Sequence, residues 1–315
     1  SGPDRFGYRR KARLSAAWGP GCWQIGLTAG ETILPIPRCP VHAPLVNQSL
    51  NDLERAIPRD PDLCLKYVVQ SGGQLTMVLK RADPPPLKWL DPSIRQQLTA
   101  LGIEGLWLHL FPSTGRRVFA KKGWHLLMGA PWSRDPGGFI YGPTTFQQLI
   151  DAMHGKAVDL AEAHLAPGPE DAVLDLYSGT GRTLSIWTGR GARTCGVELS
   201  GEAAACARQN APEAVLFRGA CAQRIPQMAG WLKDAATKRL LVYANPPRTG
   251  LEPQIRDWLA GAPQPVKMAY LSCSAGTLSR DLADLCDNRF QVKAIAPFDF
   301  FPRTRHVETL VLLER

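Results

Sequence analysis

The sequence predicts an α/β protein of two domains. A smaller α+β domain covers residues 1–140, and a larger domain with a parallel sheet and helices on both faces covers residues 141–315. Three observations predict this. Up to about residue 140 the pattern is strand-like and broken by Gly and Pro; from about residue 167 strand and helix patterns alternate, as a parallel sheet requires. Charge shifts with the pattern: residues 1–150 hold 18 Lys/Arg against 10 Asp/Glu, whereas residues 151–315 hold 19 against 18. With 315 residues, 44% hydrophobic and 21% charged, the chain can bury sizeable cores. No stretch approaches the ~18 unbroken apolar residues of a membrane span, and no secretory apolar region opens the sequence. Cysteines 22, 39, 64, 195, 206, 221, 273 and 286 show no paired spacing. That pattern argues against a disulfide framework or zinc ribbon. A cytoplasmic monomer, away from membranes, is expected.

In the first domain, "YVVQSGGQLTMVLKR" (67–81) reads as two strands around Gly72-Gly73, a hairpin signal. Pro84-Pro85-Pro86 forms a stiff spacer, "IRQQLTALG" (94–102) a short helix and "GLWLHLF" (105–111) a strand. Residues 144–165 have helical spacing and end before Pro167. Strands then follow at "AVLDLY", "RTCGVEL", "AVLFRG", "LLVYAN" and "VKMAYLSC". Between and after them lie the helical segments "RTLSIWTG", "GEAAACARQN", "EPQIRDWLAG" and "GTLSRDLADLC". Two closing strands are "FQVKAIAPFDF" and "VETLVLLE". Ligands of such sheets sit beyond the carboxyl ends of the strands, so functional residues should fall just after strands.

The basic first half points to a polyanionic partner. Its clusters are Arg5, Arg9, Arg10, Lys11 and Arg13, then Arg116, Arg117, Lys121 and Lys122. Trp107, Phe111, Phe119 and Trp124 interleave with the second cluster, and aromatic rings can stack on unpaired bases. A solvated basic face over a few core aromatics fits the same pattern.

In the second half, "LDLYSGTGRT" (174–183) runs from strand through a Gly-bearing turn into a helix. Gly179 and Gly181 let the backbone approach a ligand, and the helix start offers free N–H groups. Glu198 ends the next strand 21 residues after Tyr177, where an acid suits the two hydroxyls of a ribose. This spacing fits dinucleotide enzymes and S-adenosylmethionine methyltransferases alike. The turn Asn245-Pro246-Pro247-Arg248 favours the second, because two prolines make an extended wall against which a planar base can lie. Cys273 ends the following strand beside a helix beginning near Thr277, whose positive end, with Arg248 and Arg280, would favour the thiolate. Glu308 precedes the apolar run "TLVLL", as either a water-exposed edge residue or a carboxylate held at the site; Asp299 and His306 share that ambiguity.

Together "DLYSGTG", "GVE", "NPPRTGL", "LSCSAGTLSRDL" and "FPRTRHVETLVLLER" resemble the RNA 5-methyluridine (uracil-C5) methyltransferase family, particularly its large-subunit ribosomal RNA branch. The likeness extends upstream through "GPTTFQQ" and "CPVHAPLVNQSL" to "FGYRRKARLS", nearly the whole chain. It implies a Rossmann-like class I methyltransferase domain behind a small RNA-binding domain. Cys273 would attack uracil C6, because C5 is too weak a nucleophile unaided. Glu308 would then remove the C5 proton. The resemblance carries over cofactor contacts at Gln148, Tyr177, Arg182, Glu198 and Asn245, to which the turn adds Gly179. Arg9, Arg10, Lys11, Arg116, Arg117, Lys121, Lys122 and Arg248 would meet the RNA, ribosomal rather than transfer RNA.

The sequence departs from the family pattern in several places. Asn245 stands where Asp is usual, and Ser274-Ala275 where Asn-Pro is usual. "RGACAQ" lacks the usual polar cofactor residue, and the N-terminal RNA-binding barrel of many members is expected to be missing. No iron–sulfur cluster is expected: Cys39 matches one of four usual ligands, while Cys22 and Cys64 lack the grouped spacing. Two rival readings remain. One is an amine-directed methyltransferase using the N-P-P motif, although Arg248 replaces its aromatic stacker. The other is a non-catalytic RNA-binding or ribosome-assembly protein on a degenerate methyltransferase fold.

Overall fold

The computed structural model describes residues 6–113, 117–234, 238–261 and 265–315. The chain divides into two compact units, one ending at Leu149 and the other beginning at Ile150, against the expected boundary at 140/141.

In the first unit, strands β1 (Lys11–Trp18), β2 (Trp23–Ala29), β3 (Thr32–Pro35), β4 (Leu65–Ser71), β5 (Gln74–Leu79), β6 (Gly105–Leu110) and β7 (Trp124–Gly129) form one sheet. Its order is β3-β2-β1-β4-β5-β6-β7, antiparallel except at β5–β6. Period-two alternation turns Ala12, Leu14 and Ala16 of β1 inward. Helix α1 (Pro44–Ala56) meets them with Val46, Leu50 and Leu53, and α2 (Pro92–Ala100) with Leu98. Both helices begin on proline, whose missing N–H costs nothing in a first turn. The short pair β8 (Ser133–Arg134) and β9 (Ile140–Tyr141) follows.

Helix α3 (Asp151–Leu165) opens the second unit. The helical expectation for residues 144–150 is corrected: there Thr145 closes a turn, its N–H and Oγ1 both donating to Gly142 O. Strand and helix then alternate through β10 (Asp171–Leu176), α4 (Arg182–Gly189), β11 (Arg193–Glu198), α5 (Gly201–Asn210) and β12 (Val215–Arg218). They continue as α6 (Ile225–Lys233), β13 (Arg239–Ala244), α7 (Pro253–Ala260), β14 (Lys267–Ser272), α8 (Ala275–Asp287), β15 (Gln291–Phe298) and β16 (Glu308–Glu314). Helix α6 was not expected; its Pro226 occupies the first turn, where proline is tolerated.

Sheet order is β12-β11-β10-β13-β14-β16-β15. The first five strands are parallel, whereas β16 runs antiparallel to both β14 and β15. Ala172, Leu174 and Leu176 of β10 face a cluster with Met228, Ile255, Leu259, Leu278 and Leu285. Val173 faces the opposite cluster, with Ala157, Val158 and Ala161 of α3 and Trp187 of α4. Helices therefore cover both faces. Among the described residues, no helix is long and apolar enough to cross a membrane.

Candidate active site

The parallel strands β10, β11, β13 and β14 all point their carboxyl ends to one edge. Tyr177 directly follows β10, Glu198 ends β11, Asn245 follows β13 and Cys273 follows β14. Glu308 reaches this edge by the opposite route: β16 runs antiparallel, so its first residue lies where the other strands finish. The register pairs Ser272 with Thr309, the residues that directly precede Cys273 and directly follow Glu308. Leu271 and Leu310 share one buried cluster with Ala269, so alternation puts Cys273 and Glu308 on that same face.

At the β10–β11 end the geometry is set by main chain. Tyr177 takes a left-handed φ of 61°, turning the chain sharply off the strand. Gly181, at φ 82°, must be glycine, since a Cβ there would lie 2.8 Å from the Ala207 backbone. The Glu198 carboxylate accepts Gly179 N–H at 2.9 Å and Ser200 N–H at 2.6 Å, one on each oxygen. At Gly179 a Cβ would meet nothing within 4 Å, so the turn is uncovered. The Tyr177 hydroxyl donates to Glu252 at 3.2 Å, and Ala222 N–H donates to the same carboxylate oxygen. Arg182 pairs with Asp151 at 3.2 Å. Asn245 N–H donates to Leu176 O, joining β13's end to β10's. Gln148, the last expected cofactor contact, lies in the first unit.

At the β13–β14–β16 end charge and burial dominate. Glu308 is only 4% exposed, which removes the reading of an edge residue in water. Burial pushes its carboxyl up to about 7, against the pull of Arg248. The half-buried Cys273 thiol is also raised, first by burial and then by Glu308, with Arg248 acting in the other direction. This corrects the expectation of a favoured thiolate at the mouth of α8. Arg280 does not add to the field either, because its nitrogens bond Asp281 and Thr249 O. Asp299 is exposed, and half-buried His306 packs its ring near Phe301.

In the first unit, Arg9, Arg10, Arg117, Lys121 and Lys122 are exposed, while Arg116 and Arg5 lie outside the described residues. Lys11 is committed to Thr145 O at 2.7 Å. Trp107, Phe119 and Trp124 pack together around buried His109, which stacks on Trp124 with ring centroids 4.2 Å apart. Burial lowers that histidine's pKa to about 4. Among the described residues, no group of three or more His, Cys, Asp or Glu is placed to hold a metal ion.

Sequence reasoning missed Glu252 and Asp281. Glu252 had a weak signal, an acid directly before a helix-opening proline. Asp281 had a stronger one, an acid on the apolar stripe formed by Leu278 and Leu285 of α8.

The chain is similar to known RNA methyltransferases. The family model described as tRNA (Uracil-5-)-methyltransferase matches residues 230–315. A relative named 23S rRNA (uracil(1939)-C(5))-methyltransferase RlmD, from Klebsiella pneumoniae, is 30% identical over 98% of this chain and 71% of its own length. An uncharacterized RNA methyltransferase of Thermosynechococcus vestitus is 31% identical over 99% of this chain and 72% of its own. Among solved structures, the Pyrococcus abyssi tRNA (uracil-54, C5)-methyltransferase in complex with S-adenosyl-L-homocysteine shares the fold. Its TM-score is 0.75 at 22% identity, covering 99% of this chain and 77% of that one.

Proposed function

The chain belongs to the S-adenosylmethionine-dependent RNA uracil-C5 methyltransferase family, and on that premise we propose that it methylates uracil C5 in ribosomal RNA through a covalent adduct at Cys273. The observation that carries the mechanism is the Ser272–Thr309 pair, which brings Cys273 and Glu308 to the same end of adjacent strands, with Arg248 acting on both. Support for ribosomal RNA comes from relatives named as 23S rRNA enzymes.

The site's residues fit the cofactor. The turn is open at Gly179, and the Glu198 oxygens each take one N–H and keep further lone pairs for two ribose hydroxyls. S-adenosylmethionine supplies the methyl group. The chain's own work starts with the Cys273 thiol, which loses its proton to solvent and bonds through sulfur to uracil C6, sending the C5=C6 electrons toward C5 as an enolate. The Arg248 cation favours the thiolate at this stage. Once C5 bears the methyl group, ionised Glu308 takes the C5 proton. The freed electron pair restores the C5=C6 bond, the C6–S bond breaks, and the sulfur leaves as thiolate. Burial suits Glu308 to this step, because a carboxyl titrating near neutrality is a stronger base than an ordinary one. Arg9, Arg10, Arg117, Lys121 and Lys122 would bind RNA phosphates.

Purified protein should be incubated with labelled S-adenosylmethionine and either ribosomal or transfer RNA lacking 5-methyluridine, and the nucleosides identified by mass spectrometry. The reading predicts 5-methyluridine in ribosomal RNA. Methyl on an exocyclic nitrogen would support the amine-directed alternative, and binding without methylation the non-catalytic one. Labelling of transfer RNA alone would overturn the substrate assignment.

A further inference from the structure

The helix that follows Cys273 carries a carboxylate that this chemistry leaves unused. Asp281 of α8 is 0% exposed, yet it gathers donors from three other parts of the site. Its Oδ2 accepts Leu251 N–H and the Tyr270 hydroxyl, each at 2.7 Å. Its Oδ1 accepts Arg256 at 3.1 Å, and Arg280 Nε and Nη2 at 3.0 and 2.6 Å. Tyr270 belongs to β14, three residues before Cys273, and Leu251 ends the turn that carries Arg248.

Other side chains of α8 grip the same turn. Thr277 donates to Arg248 O at 3.2 Å, and Arg280 to Thr249 O at 2.9 Å. The approach is close enough to demand glycine between them: at Gly250, φ 78°, a Cβ would lie 2.4 Å from Asp281 Oδ2. Pro246 and Pro247 lack N–H groups, so the turn has few bonds of its own beyond Gly250 N–H to Pro247 O. Its place is therefore set largely from α8, with Arg256 of α7 donating to Leu251 O at 2.8 Å.

We propose that Asp281 is a positioning residue that holds the Arg248 turn against the start of α8, beside the strand end that carries Cys273. The proposal rests on the reading of Cys273 as the nucleophile. A long cationic side chain on an exposed turn loses most of its effect when the turn wanders, because solvent screens it. The charged groups acting on the thiol are Glu308 from β16 and Arg248 from this turn, while Arg280 of α8 is turned to Asp281. Loss of the clamp frees the Arg248 turn, so the pull of Arg248 on the thiol weakens against burial and Glu308.

The test is the pH dependence of Cys273 alkylation by iodoacetamide in the full chain without RNA, followed on the Cys273 peptide by mass spectrometry. Folding of each variant is checked by circular dichroism. Asp281→Asn should shift the midpoint upward, slowing alkylation at neutral pH by about threefold, a modest charge effect at a partly exposed site. Arg248→Gln should do the same, and the double variant should go no further. Arg280→Gln and Thr277→Val, on the outer side of the helix, should shift it less in the same direction. They decide the matter if Asp281→Asn does not fold. An unchanged midpoint in folded Asp281→Asn, or in the Arg280→Gln/Thr277→Val pair, would overturn the proposal, as would full additivity with Arg248→Gln. Methylation by a Cys273→Ala protein would instead sink the functional reading, so the two failures are distinguishable.

Discussion

At the β10–β11 end of the sheet edge, Glu198 is oriented by main-chain N–H groups of Gly179 and Ser200. At the β13–β14–β16 end, Cys273 and Glu308 are set by burial and by the Arg248 cation, and both are raised from their ordinary pKa values. The contrast separates two kinds of task. A carboxylate fixed by the backbone has its remaining lone pairs fixed in direction, which serves recognition. Groups whose charge state burial shifts suit the proton and bond transfer of the proposed function, and their state depends on pH and on one neighbouring cation. Changes at the first end should therefore alter binding, and changes at the second should alter chemistry.

The largest expected effect is at the second end. Cys273→Ala should lower methylation by at least about 10⁴-fold, because only the bond-forming group is lost. RNA and cofactor affinities should stay near wild type in filter-binding and calorimetric assays. A clear loss of cofactor affinity in this variant would break the separation.

Next comes Glu198→Ala at the first end. Removing a charge-assisted acceptor should weaken S-adenosylmethionine binding by about 1.5–3 kcal/mol, read by calorimetry, with kcat at saturating cofactor little changed. Unchanged affinity would remove the cofactor role from this carboxylate.

These assignments were legible to different depths. Tyr177, Glu198, Asn245 and Cys273 could be placed because parallel strands deliver functional residues at their carboxyl ends. Glu308 could be named but not decided, since its position depends on β16 reversing direction, which no local pattern encodes. The thiolate expectation at Cys273 failed because helix polarity and arginine spacing are visible in sequence while burial is not. Arg280, three residues beyond Thr277, looked available to the thiol until Asp281 was seen to hold it. In the first unit the aromatic run was legible as a cluster, yet its packing around His109 comes from cross-strand pairing of β6 and β7.

A smaller effect concerns pH. The proposed mechanism needs both an ionised thiol and an ionised Glu308, so turnover should rise with pH through about 7. In Glu308→Gln any residual turnover should lose that limb and follow the thiol alone. A flat wild-type profile from pH 6 to 8 would contradict the assignment of Glu308 as a base.

The smallest effect is on stability. The folded state raises the Glu308 pKa, so it binds that proton more tightly than the unfolded chain does. Its contribution is fully present below the ordinary value of 4.5 and is lost as pH rises through about 7. Glu308→Gln should thus be more stable than wild type by about 1–2 kcal/mol at pH 8, with no gain at pH 4. Urea unfolding at the two pH values measures this.

The most direct test of consecutive action by Cys273 and Glu308 on one uracil is adduct trapping in Glu308→Gln. Attack and methyl transfer remain open to this protein, but the C5 proton cannot leave efficiently, so the C6–S bond should persist. Incubated with RNA and S-adenosylmethionine and run on a denaturing gel, it should give a slower band that contains both RNA and protein. That band should vanish in Cys273→Ala/Glu308→Gln and without S-adenosylmethionine. Absence of any adduct while Glu308→Gln still forms 5-methyluridine at the wild-type rate would contradict the account.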